Sequence, residues 1–247
     1  EINLHLLQAL FDVKLEGAEN VGGGLLSNHP VRDWHRKKQQ LIEKINPKRT
    51  FSKVFWGGDN DEEIAEKKEM LGWVRKIIEH NANVFWHSWE IDFRGRLFPK
   101  CTRLSPQGDD LNKAMIRFKH WKPLGDAPDD RRGIDWIHVH VHNMMEGVDE
   151  ANGSSIWASG PAKKKQTFKT RIKWVEENLK LLRQMANNLG NDDYKKILHL
   201  DKKQPGKDDV YQRVAALLEI DRAHTEYEEN GQDWSKVYSG HPIYLDA

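Results

Sequence analysis

The chain has 247 residues, 38% of them hydrophobic and 31% charged, with a formal net charge of +1 and a mean hydropathy of −0.80. That length accommodates one large domain or two smaller ones with a genuine core. No apolar run approaches the ~20 residues that span a bilayer, so the sequence reads as a soluble protein without a membrane partner. A single cysteine, Cys101, excludes an internal disulfide and fits a reducing compartment. Nothing at the start resembles a secretory or transit peptide. A first residue of Glu1 rather than Met leads us to expect a natural N-terminus further upstream.

In chain order, Ile2 to Val13 reads as a short amphipathic helix, with Leu4, Leu7 and Ala9-Leu10 as apolar positions. Gly22-Gly23-Gly24 breaks the chain, and Ser27-Asn28-His29-Pro30 supplies capping chemistry for a basic helix from Val31 to Ile45. Asn46-Pro47 closes it. After the Gly57-Gly58-Asp59-Asn60 loop, Ile64, Leu71, Val74 and Ile77-Ile78 recur at helical spacing and predict a helix from Glu62 to about Asn81.

The aromatic, roughly alternating run Val84 to Phe93 predicts a strand. Pro106-Gln107-Gly108-Asp109 is a turn, followed by helices over Asp110 to Phe118 and Gly133 to Glu146. Residues 152 to 165 read as a polar loop. Long helices follow over Thr167 to Leu189 and Asp208 to Asn230, and Pro242-Ile243-Tyr244-Leu245-Asp246 reads as a short buried strand ending in a carboxylate.

Charge is segregated despite the near-zero net value. Arg32, Arg36, Lys37, Lys38, Lys44, Lys48, Arg49 and Lys53 face only Asp33 and Glu43 in one stretch. Lys163, Lys164, Lys165, Lys169, Arg171 and Lys173 form a second block, and Glu219 to Asp233 is acidic. Basic blocks of this kind suit a polyanion, because phosphate contacts dominate nucleic-acid affinity. Solvated helix faces are the plain alternative.

Asp92-Phe93-Arg94-Gly95-Arg96-Leu97-Phe98-Pro99 places two arginines around a glycine at a strand end, with an acid ahead of them. Arginine offers planar bidentate donors to phosphate, and glycine lets a partner approach the backbone. An isolated Asp-x-x-Gly-Arg would suggest only a salt-bridged strand end. This one is followed in order by Pro106-Gln107-Gly108-x-Asp110, Lys122-Pro-Leu-Gly125, Trp136-x-x-x-His140-x-x-Asn143-x-x-x-Gly147, and Arg171-Ile-Lys-Trp-Val-Glu-Glu-Asn178. That succession resembles the palm of the single-subunit DNA-directed RNA polymerases of bacteriophage and mitochondrial type. Ile2-Asn3, Val13 and Trp34 with its basic helix look like the thumb and its approach, and Pro242 to Asp246 looks like the start of the first catalytic block.

The resemblance implies a mixed α+β, mostly helical fold. A helical thumb would occupy residues 1–82 and the N-terminal part of a polymerase palm 83–247, incomplete at both ends, with a longer polar loop near 149–166. It implies that Asp92, Arg94, Gly95, Arg96 and Phe98 touch template and RNA–DNA hybrid, with Phe98 standing where the family usually has tyrosine. Gln107, Asp110 and Lys113 would lie beside the hybrid, and Arg36, Lys37, Lys38, Lys48, Arg49 and Lys53 would grip it without regard to sequence. Asp246 would be one of two aspartates that hold two Mg2+ ions. The expected partners are DNA template, RNA product and nucleoside triphosphates, engaged by a monomer that lacks the fingers and the second aspartate and is inactive alone. Glu150 departs from the family, which often carries a lysine there. The cytoplasm of an infected bacterium and the mitochondrion are the two locations the family offers.

Two other readings compete. His138, His140 and His142 would share one face of a strand as a metal set, which suggests a metallohydrolase. On a helix they spread around the axis, and Ile134, Ile137, Val141 and Met144-Met145 form a helical apolar stripe that favours this. The basic blocks and ten tryptophans also suit a non-catalytic nucleic-acid-binding protein, which would be complete as it stands.

Overall fold

The computed structural model describes residues 1–4, 6, 61–81, 84–125, 132–148, 150–151, 154–163, 165–198 and 209–244. The chain is mixed α and β, with roughly half of the described residues helical and only small antiparallel sheets. It divides into two compact units, Glu1–Lys119 and His120–Ala247.

In the first unit, α1 (Asp61–Asn81) buries Met70, Leu71, Val74 and Ile78, the spacing of a single apolar stripe. A hairpin follows, β1 (Trp89–Ile91) against β2 (Leu97–Pro99), in the register Trp89↔Pro99 to Ile91↔Leu97. The strand expected over Val84 to Phe93 is therefore only three residues long. Pro99 has no N–H to extend the ladder, and beyond it a single bond from Lys100 N to Ser88 O remains (2.8 Å).

α2 (Asp110–Ala114) also stops earlier than the expected Phe118. The reason lies at the other end of the chain. Ile2 bridges Ile116, Asn3 N donates to Met115 O (2.7 Å), and Arg117 N donates to Glu1 O (2.7 Å). Met115 N still closes the helix on Leu111 O, but the Met115 carbonyl and the Arg117 N–H go to this pairing instead of continuing it. Ile2 is accordingly a bridge residue and not the start of a helix, whereas Leu4 and Leu6 are helical and buried.

The second unit is built on three helices: α3 (Gly133–Met144), α4 (Phe168–Asn187) and α6 (Val210–Glu229), each packed on the other two. The short α5 (Asp192–Ile197) precedes α6. Ile134, Ile137, Val141, Leu182, Met185, Val214, Leu217 and Ile220 fill the core. Thr167 caps α4 by accepting from Thr170 N (3.2 Å). Arg213 closes the end of α3, donating to Met144 O at 2.7 Å.

Two small sheets complete the unit. β3 (Lys122–Pro123) pairs with β6 (Tyr238–Ser239), and β4 (Glu150–Ala151) pairs with β5 (Ser154–Ser155). The second of these replaces part of the expected polar loop. The strand expected from Pro242 is not formed over the described residues 242–244. The pairing falls earlier, at Tyr238–Ser239, and Pro242 lacks the N–H to continue it. Gly125, just after β3, meets the backbone of Trp234 and Ser235 so closely that a Cβ would come within 2.7 Å of Ser235 N.

Candidate nucleic-acid interface

The hairpin tip is organised by one carboxylate. Asp92 N donates to Arg96 O, and Gly95 N donates to Asp92 O, both at 3.0 Å, leaving Phe93-Arg94-Gly95 as a three-residue connection. Gly95 ends it at φ +78°, the left-handed position that such loops require and that glycine fills without penalty. Asp92 Oδ1 accepts from Arg94 N (2.9 Å) and Arg96 N (2.8 Å), while Oδ2 accepts from Arg96 Nε (2.8 Å). These donors, the Arg96 N–H foremost, hold the Asp92 carboxyl below the usual carboxylate range.

The salt-bridged strand end is thus present at the residues that the polyanion reading names. Arg96 is fixed by Asp92 and lies 5.3 Å over the Phe98 ring. Arg94 projects from the tip over Phe93, with no carboxylate partner among the described residues, and Phe93 is 91% exposed. Asp92→Ala should leave the melting temperature of the chain close to wild type, because the carboxylate sits at the surface. It should speed amide exchange at Arg94 and Arg96, measurable by NMR, since both N–H groups lose their acceptor.

The Pro106 turn sits beside β2. Gln107 Nε2 donates to Leu97 O (3.4 Å), and Gly108 N donates to Ser105 O (3.0 Å). Asp109 caps α2 by accepting from Asn112 N (2.8 Å), and Asn112 Oδ1 in turn accepts from Leu104 N. Asp110 and Lys113 lie in that helix. The structure therefore joins Asp92, Arg94, Gly95, Arg96, Phe98 and Gln107 in one hairpin and its adjoining turn. Arg36, Lys37, Lys38, Lys48, Arg49, Lys53 and Asp246 lie outside the described residues.

Sequence reasoning missed how open the aromatic run is. Trp86 is 78% exposed, Ile91 69% and Leu97 56%. Lys119 Nζ stands 5.8 Å from the centre of the Trp86 ring. A strand of alternating aromatics suggests one buried face, but all three β1 residues are exposed, which periodicity alone could not reveal.

The histidine run takes the helical reading that its apolar stripe favours. His138, His140 and His142 lie on α3 and face three different neighbours. His138 stacks on His224 with Nε2 atoms 3.2 Å apart, His140 packs on His241 (ring centres 5.1 Å), and His142 meets Trp174 edge-on (5.2 Å). Among the described residues no group of three or more His, Cys, Asp or Glu could hold a metal ion, which removes the metallohydrolase site. Burial pushes His138 and His140 down to about 3 and His224 to about 4, values for neutral core groups.

The helix-borne motif residues act within the unit. Arg171 donates to Asn143 Oδ1 (2.8 Å), joining α4 to α3. Asn178 accepts from Ala158 N and donates to Trp174 O, both at 2.8 Å. Among the described residues no helix is long and apolar enough to cross a membrane.

No protein-family model matches the chain. Individual relatives do. The chain is 27% identical to the DNA-directed RNA polymerase of Pseudomonas phage phiKMV over 94% of its own length and 26% of the relative's. It is 30% identical to T7 RNA polymerase of Escherichia phage T7 over 44% of this chain and 10% of that one. It is 38% identical to the mitochondrial DNA-directed RNA polymerase of Mus musculus over 25% of this chain and 5% of that one. The chain thus spans about a quarter or less of the length of these relatives. It is a homologue of the phage-type and mitochondrial single-subunit DNA-directed RNA polymerases.

Proposed function

We propose that this chain is part of an RNA polymerase that extends RNA from nucleoside triphosphates on a DNA template. It would contribute the thumb (residues 1–82) and the N-terminal palm (83–247) of a monomeric enzyme. The observation that carries the reading is the phiKMV match over 94% of the chain, supported by a hairpin whose tip presents Arg94 beside the exposed Phe93 ring and Arg96 over the half-buried Phe98 ring. In this reading Asp92 holds Arg96 against the backbone of the hybrid. Arg94 and the basic residues Arg36, Lys37, Lys38, Lys48, Arg49 and Lys53 neutralise phosphates, and Phe98 supports the Arg96 plane. Gln107 and Lys113 line the same side of the hybrid.

Asp246 is the residue of this chain suited to Mg2+, which prefers carboxylates together with substrate phosphates. Two such ions, when bound, would activate the RNA 3′ hydroxyl and stabilise the leaving pyrophosphate. The chain by itself would synthesise no RNA. A phage source would place the enzyme in the cytoplasm of the infected cell, and an organellar source in the mitochondrion.

The test is primer extension by the full-length polymerase on a DNA template, with binding followed across a salt series. Affinity should fall by roughly 0.7–0.9 log units per log unit of salt for each phosphate neutralised. Arg96→Ala should lower that slope by about one phosphate and shorten the product at unchanged melting temperature. Arg96→Lys should also shorten it, because lysine cannot reproduce a bidentate contact. Salt-insensitive binding, or normal product length from both variants, would remove the hybrid-contact role.

A further inference from the structure

The base of the hairpin carries an aromatic ring that contact at the tip leaves unused. Trp86 precedes β1 and is 78% exposed. Side chains alternate from one side to the other along an extended chain, and ring contacts show that alternation here. Phe85 meets His87 with ring centres 5.2 Å apart, and His87 meets Trp89 at 6.1 Å. Trp86 therefore stands on the opposite side, with Ser88, Glu90 and Asp92. Glu90 lies directly across from Phe98, and Asp92 holds Arg96. Trp86 thus shares its side of the hairpin with the Arg96–Phe98 pair.

The two sides differ in chemistry. On the side of Phe85, His87 and Trp89 the rings meet one another. On the side of Trp86 both rings meet cations: Arg96 lies 5.3 Å from the centre of Phe98, and Lys119 Nζ lies over Trp86 at 5.8 Å. Arg96 is bound to Asp92, and Lys100 pairs with Glu90 at 3.7 Å. Lys119 has no carboxylate partner among the described residues. A planar ring has two faces. Lys119 stands over one, and the exposure of Trp86 leaves the other to solvent. An open aromatic face beside an uncompensated cation suits a single strand of nucleic acid, which brings a base to the ring and a phosphate to the charge. A duplex or a hybrid cannot use it in that way, because its internal bases are already stacked on one another.

We infer that Trp86 and Lys119 form a binding site for an unpaired nucleotide: the base stacks on the indole, and the adjoining phosphate pairs with the Lys119 ammonium. The inference rests on the polymerase reading for its partner, nucleic acid. Six residues of extended chain separate Trp86 from Asp92, about 20 Å at the usual strand rise, so this site is distinct from the arginines of the tip. The hairpin then offers its tip to the hybrid and its base to a single strand.

The test uses the full-length polymerase with an oligothymidine single strand and a blunt duplex of equal length. Trp86→Ala should weaken single-strand binding about tenfold, the size expected for one stacked base, with duplex affinity and melting temperature unchanged. Trp86→Phe, which keeps a ring, should retain most of the affinity. Lys119→Ala should lower the salt slope for the single strand by about one phosphate. A strand carrying iodouracil should cross-link on irradiation to the peptide that contains Trp86, and the higher yield between DNA and RNA versions shows which strand the site holds. Unchanged single-strand affinity in Trp86→Ala, an equal loss on strand and duplex, or cross-links that avoid this peptide would overturn the inference and leave the polymerase reading intact. A wild-type protein that extends no primer, yet loses single-strand affinity on Trp86→Ala, would overturn the polymerase reading and leave the site standing.

Discussion

Asp246→Asn in the full-length polymerase should abolish RNA synthesis while leaving template binding near wild type. A carboxylate supplies Mg2+ with a hard, charged oxygen, and an amide oxygen is a neutral and weaker substitute. Metal stabilisation of charge in the transition state is worth several kcal/mol, so its loss lowers the rate by about a thousandfold or more. On the proposed function, template binding rests instead on the basic residues and the hairpin tip, which this substitution does not touch. Single-turnover extension and a template-binding titration on the same preparation check both halves. Synthesis near wild type would remove Asp246 from the metal-holding role, and Mg2+-dependent synthesis by residues 1–247 alone would contradict the expectation that the chain is inactive by itself.

The second unit should lose stability steeply between pH 6.5 and pH 3. His140 is 1% exposed and packs on His241, and burial first, then the neighbouring imidazole, pushes its pKa down to about 3. His138 is lowered likewise by burial, by His224 and by Arg132, against the opposing pull of Asp135. His224 is lowered by burial and Arg183 against Glu228. Each ring is neutral in the folded state, whereas the unfolded chain takes up a proton below about 6.5. The stabilising contribution is therefore complete above pH 6.5 and is lost as pH falls toward the folded value. For His140 alone the loss at pH 5 is about 2 kcal/mol. Denaturant midpoints read by tryptophan fluorescence at pH 7.5 and 5 measure it, with buried Trp157 and Trp174 as reporters. His140→Phe should flatten the dependence by about that amount, and equal midpoints at both pH values in the wild type would show that the rings are not buried neutral.

The long helices were legible in the sequence because an apolar stripe repeated over several turns specifies one buried face. The stripe of Ile134, Ile137 and Val141 put α3 where it is found, and it resolved the histidine run toward a helix before any geometry was known. The helix expected over Thr167 to Leu189 is likewise found as α4. The order of short motifs was also sufficient to identify the relatives.

What depended on partners distant in the chain was not legible. α2 ends at Ala114 because the backbone of Glu1–Asn3 takes the Met115 carbonyl and the Arg117 N–H, a competition invisible in the local sequence. Asp92-x-x-Gly-Arg announced a charged turn, but only the fold shows one carboxylate gathering Arg94 N, Arg96 N and the Arg96 guanidinium. Glu219 and Arg222 looked like ordinary members of an acidic stretch, and Ser239 lay beyond it without any signal. Their meeting required α6 and β6 to pack together, and burial then turned solvated charges into a directional clamp. Local pattern fixes which residues form an element, whereas the pairing of ends, the burial of charge and the exposure of aromatic rings follow from long-range packing that no window of sequence contains.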